Sequence, residues 1–65
     1  MKLIPAGYDL ERRPMLIIGN ASWWVENEAE IVNWCNEVNC TLLQKGMMLT
    51  FTSVKDREWF ALRWQ

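Results

Sequence analysis

Residues 17–35 read IIGNASWWVENEAEIVNWC and hold three of the chain's five tryptophans. Where a helix begins within this stretch decides the fold. Ala21, Trp23 and Val25 alternate with Ser22, Trp24 and Glu26, which is the period of a strand. Asn27, with Glu30 three residues on, makes a capping-box pattern with Asn in place of Ser or Thr. Glu26, Glu28 and Glu30 fall where a helix N-terminus favours negative charge. On this reading a strand runs to Val25 and a helix starts at Asn27. Ile31, Trp34, Cys35 and Val38 then recur at i, i+3, i+4 and i+7 and form one narrow buried stripe. Asn39 is a suitable stop. A competing reading starts the helix at Ser22 and puts both adjacent tryptophans in its first turn. On the strand reading Trp23 joins the core and Trp24 points outward.

Working outward, residues 15–18 are an apolar, partly β-branched run ahead of the turn signal Gly19-Asn20, which indicates a further strand. Residues 41–44 and 47–52 flank Lys45-Gly46, a hairpin in which Gly supplies the positive φ of the turn. Ser53 with Asp56 three residues later opens a last helix, VKDREWFALRW, close to the capping-box pattern. The two halves echo each other, SWWVENEAEIVNW against LTFTSVKDREWF, each reading as strand, cap, acid, aromatic helix. That echo favours a strand at residues 23–25. The expected class is α+β, (β)-β-α-β-β-α: a small antiparallel or mixed sheet of three to four strands, with two helices on one face. This order overlaps most of the ferredoxin-like pattern but lacks its last strand. Pro5, Gly7 and Pro14 break up residues 1–14, so these are expected to be an irregular lead-in to one domain at 15–65.

Sixty-five residues make one domain at most. A chain of this size buries only about 60% of its unfolded surface and needs an extra source of stability. Five Trp, two Phe and one Tyr are that source here, since each buried aromatic removes about 150–250 Å² from water. The net charge of −1 gives no electrostatic footprint for nucleic acid. Charge is nonetheless uneven: Glu26, Glu28, Glu30 and Glu37 crowd the middle, while Lys45, Lys55, Arg57 and Arg63 lie in the last third. No apolar run approaches the ~20 residues of a membrane span, and MKLIPAGYDLERRP lacks the apolar region of a signal peptide. The expected setting is therefore cytoplasmic. In a reducing cytosol Cys35 and Cys40 are expected to be thiols. One lies on the helix and one just past its end, so a bond between them requires the chain to turn back sharply.

Little catalytic chemistry is on offer. There is no histidine to serve as a general base, and no Ser or Cys has a plausible base partner. Three glycines, Gly7, Gly19 and Gly46, form no phosphate-cradling loop. Two cysteines without histidine fall short of the four ligands of an ordinary zinc site. Glu26, Glu28 and Glu30 point to different sides of a helix and suit its N-terminus better than a carboxylate pair. No enzyme activity, cofactor or metal is expected. Single-stranded nucleic-acid binding would need outward aromatics on the sheet, such as Trp24 beside Thr50 or Thr52, with basic neighbours. The acidic middle of the chain opposes it.

The last helix carries more information. Phe60, Ala61 and Trp64 form one stripe, and Trp59 and Leu62 lie well away from it. A helix lying on a sheet buries one broad face. Trp59 and Leu62 are thus either covered by Leu3, Ile4 or Tyr8 of the lead-in, or face a partner, with Arg63 on the rim. Exposed Trp is a frequent hot-spot residue. Trp24, Trp59, Leu62 and Arg63 are accordingly the expected partner-binding residues.

The segments IIGNASWWVENEAEIVNWC and GMMLTFTSVKDREWFALRW resemble small uncharacterised proteins of tailed phages, especially marine and cyanobacterial ones. The shared features are a WWVENE-E start, a G-MLTF strand and a terminal F-LRW, over roughly residues 15–64. The resemblance implies a phage-encoded protein in the bacterial host cytoplasm or the virion. It implies binding and modulation of a host protein, with a minor virion or assembly component as the alternative and a nucleic-acid module third. A homodimer is compatible with each.

Overall fold

A computed structural model describes residues 2–64, so the first residue of the expected lead-in and the last of the expected domain lie outside it. The elements are β1 (Leu3–Tyr8), β2 (Pro14–Ile18), α1 (Ala21–Val38), β3 (Leu42–Lys45), β4 (Met48–Phe51) and α2 (Val54–Trp64). Four strands form one antiparallel sheet in the order β1-β2-β4-β3. β2 and β3 therefore run parallel with β4 inserted between them, and α1 is the crossover that joins them. The class is α+β in the expected order, but one strand is a different one.

Residues 21–25 are helix, not strand. Asn20 is the N-cap, with extended backbone (φ −142°, ψ 103°). Its Oδ1 accepts the Trp23 N–H at 3.0 Å, which satisfies one of the four orphan donors of the first turn. Asn27 lies inside the helix and donates its side-chain amide to the Trp23 carbonyl at 2.9 Å. The pattern that wins is longer than the one that suggested a strand. Trp24, Ile31 and Cys35 are the buried residues of α1, spaced seven and four apart on one helical stripe. Glu26, Glu28 and Glu30 consequently sit on exposed helix surface beyond the first turn, rather than at its cap.

The fourth strand comes from the segment expected to be irregular. Leu3 to Pro5 pair with Leu16 to Ile18, and Tyr8 pairs with Pro14 across a register shift. Gly7 takes a positive φ of 72° within that irregularity. Pro5 and Gly7 break a central strand, but β1 is an edge strand, where a missing donor and a bulge are tolerated. The loop at 9–13 is closed by the Asp9 N–H to Arg13 carbonyl bond and the Arg12 N–H to Asp9 carbonyl bond, both 2.9 Å. The second hairpin turns where expected, with Gly46 at φ 57°.

The core lies between the sheet and both helices. Leu3, Leu16, Ile18, Leu49 and Phe51 project from one sheet face onto Trp24, Ile31 and Cys35 of α1 and Phe60 and Trp64 of α2. The rings of Phe51 and Phe60 are 5.3 Å apart. Trp34 meets Phe60 and Trp64 edge-on at 6.2 and 6.3 Å, the arrangement that sets a ring's positive edge against its neighbour's negative face. Two buried indole N–H groups, on Trp24 and Trp64, have no acceptor among the described residues.

Candidate interaction surface

The pairing registers place the remaining strand residues on the face that the helices leave bare. Ile4, Ile17, Met48 and Lys45 form one row across all four strands, and Met15, Thr50 and Leu43 form the next. Five of these seven side chains are apolar. Met15 is buried and Ile17 half-buried by their neighbours, while Ile4, Leu43 and Met48 are each more than 40% exposed. The loop at 9–13 stands at one end of this face. Between loop and sheet is a hollow of about 420 Å³ whose lining includes Tyr8, Leu10, Met15, Leu43 and Met48. Leu10 is fully exposed. Asp9, Glu11, Arg13 and Lys45 also line the hollow and give it both signs of charge.

Asp9 builds the wall of that hollow. Its carboxylate accepts the backbone N–H of Glu11 at 2.9 Å and of Arg13 at 2.8 Å, and the Arg13 Nε–H at 3.0 Å. The hydrogen bond from the Arg13 backbone, above all, holds this carboxyl below the usual carboxylate range.

The four expected partner-binding residues do not form one site. Trp24 is only 6% exposed and belongs to the core, a correction that follows from the helix starting at Ala21. Trp23 is the half-buried member of the pair, its ring under the Lys2 Nζ at 5.3 Å. Trp59 and Leu62 are 44% and 82% exposed. With Lys55 they lie at i, i+4 and i+7, one stripe along α2, and the Lys55 Nζ sits 5.1 Å above the Trp59 ring. The expected cover from the N-terminal segment is not on this stripe: Leu3 enters the core and Tyr8 stacks under Arg57 at 5.4 Å. Arg63 is exposed, with its guanidinium 4.2 Å from the centre of the Trp64 ring.

Trp24, the outward aromatic that base stacking on the sheet would need, is in the core. Thr50 does lie on the outer face, and its hydroxyl donates to the Leu43 carbonyl at 3.2 Å. Sequence reasoning puts Trp24 and Thr50 or Thr52 on the outer face and misses its aliphatic surface, although a signal for it exists. Pro14–Ile18, PMLII, is apolar at every position. A strand with one solvated face alternates; an unbroken apolar run marks a strand meant to be covered on both sides.

Among the described residues no group of three His, Cys, Asp or Glu side chains is placed to hold a metal ion. No helix among them is long and apolar enough to cross a membrane. No protein family, curated protein or solved structure matches this chain.

Proposed function

We propose that this protein works without catalysis, by docking its outer sheet face onto another protein. The observation that carries the reading is the mismatch between composition and cover: both faces of the sheet are apolar, and the helices lie on one. Covering apolar surface is worth roughly 25 cal/mol per Å² before the costs of association. A contiguous exposed apolar patch marks an interaction site more often than scattered apolar residues do. The fitting partner surface is apolar at its centre and carries both charge signs at its edge, opposite Asp9, Glu11, Arg13 and Lys45. Trp59 and Leu62 offer a second, smaller contact. The resemblance to small phage proteins makes a bacterial host protein the leading partner, bound and modulated in the host cytoplasm. A minor virion or assembly component is the alternative, and it would use the same face.

Affinity purification from infected or expressing cells, with folding of each variant checked by circular dichroism, tests this. Leu43→Lys with Met48→Lys should lower recovery of the same bacterial partner at least about tenfold, the equivalent of 1.4 kcal/mol. Trp59→Ala with Leu62→Ala should lower it less. Recovery unchanged by the sheet pair would sink the assignment. Self-association that disappears in the sheet pair would identify a second copy of the chain as the occupant instead.

A further inference from the structure

We propose that Cys35 and Cys40 are a covalent modification site: a dithiol that closes to an intramolecular disulfide at the end of α1. On an uninterrupted helix the two side chains would point about 140° apart, at 3.6 residues per turn. The helix is interrupted between them. Asn39 takes the left-handed conformation, φ 58° and ψ 37°, and its N–H bonds the Cys35 carbonyl. The Cys40 N–H bonds that same carbonyl at 2.9 Å. This is the six-to-one closure of a Schellman motif, which folds the residue after the left-handed position back over the last helical turn. The sharp reversal that a bond between these cysteines requires is thus built into the backbone.

The side chains follow the backbone. Both cysteines are buried members of the same core cluster. At 7% and 5% exposure, both line one surface depression of about 390 Å³, together with Val32, Asn36, Asn39 and Leu42, so a small reagent reaches the pair only from that depression. Burial pushes both thiols up, Cys40 to about 12. Thiolate is therefore scarce at neutral pH, and closure is slow without being blocked.

The reaction partner is a small-molecule disulfide. One protein thiolate attacks it, forms a mixed disulfide and expels one small thiolate. The second protein thiolate then attacks the protein sulfur of that mixed disulfide and expels the other. Two protein S–H bonds and one small-molecule S–S bond are lost. One protein S–S bond and two small thiols are gained, so the protein is oxidised by two electrons and the reagent reduced by two.

Closure has a structural consequence. In the dithiol form the Cys40 S–H donates to the Asp56 carbonyl at 3.6 Å, joining the end of α1 to the first turn of α2. A disulfide has no S–H, so that link is given up as the new one forms.

The test is to equilibrate the folded protein in oxidised and reduced glutathione, quench with acid, alkylate free thiols and weigh the intact chain. The expected product is a monomer two hydrogens lighter with no alkylation. Its equilibrium constant should be at least about tenfold larger in native buffer than in concentrated urea, because the fold holds the ends of the loop together. Cys35→Ser and Cys40→Ser should each yield only a glutathione adduct. Persistent free thiols, mixed disulfides or intermolecular dimers in the parent chain would overturn the proposal. So would an equilibrium constant that is the same in urea.

Discussion

The two faces of the sheet are built from similar side chains and meet different fates. The inner face carries Leu3, Leu16, Ile18, Leu49 and Phe51, all at most 3% exposed. The outer face carries Ile4, Met15, Ile17, Leu43 and Met48, three of them substantially open. Apolar character does not separate them; cover does. Trp24, Phe60 and Trp64 close the inner face with large rings, whereas among the described residues the outer face meets only the loop at 9–13. The difference teaches that a 65-residue fold can complete its core on one side and leave a largely apolar surface open on the other.

The most direct way to break the contrast is to open the inner face. Phe60 is completely buried, against Phe51 and Trp34. Phe60→Ala should cost about 3–5 kcal/mol through lost burial and a residual cavity. The whole fold is worth about 3–10 kcal/mol at this length, so urea melts followed by circular dichroism should find the variant largely unfolded. A smaller effect tests what sends Trp24 inward. Asn20→Ala should cost about 1 kcal/mol, because it removes the acceptor of the Trp23 N–H. Asn27→Ala should cost less than Asn20→Ala; the reverse ranking would place the helix start at Asn27 and return Trp24 to the outer side. Least of all, Leu43→Lys or Met48→Lys should shift stability by no more than about 0.5 kcal/mol, as surface changes do. A large loss from either in thermal melts would show that the outer face already contributes to the core.

Much of the fold is legible in the sequence because its signals are local. The hairpin about Gly46, the stripe Ile31, Trp34, Cys35 and Val38, and the pair Phe60 and Trp64 each follow from a period or a turn residue. What misleads is a short alternation. Six residues from Ala21 to Glu26 fit a strand only when the helical stripe to their right is stopped at Ile31. Extending that stripe back by seven reaches Trp24, and extending the cap search back by the same seven reaches Asn20. β1 was hidden for a different reason. Pro5 and Gly7 count against a strand only where both edges must pair, and sheet position is not a local property.

The surface residues divide along the same line. Helical spacing alone takes Trp59 and Leu62 off the buried stripe of α2, but whether the N-terminal segment covers them depends on where β1 runs. The outer sheet face does not follow from spacing, because it is assembled from β1, β2, β3 and β4 by registers that span the whole chain. Only the unbroken run PMLII pointed toward it.

The strand order has a final consequence for growth. β1 and β3 are the two borders of the sheet. The β1 border is blunted by Pro5, which has no N–H to offer, and by the bulge at Gly7. The β3 border, Leu42–Lys45, has neither device. Any strand-to-strand annealing between copies would thus be one-sided. Two molecules joined along β3 would present a blunted β1 at each outer limit, and the ribbon would end there instead of lengthening into a fibre.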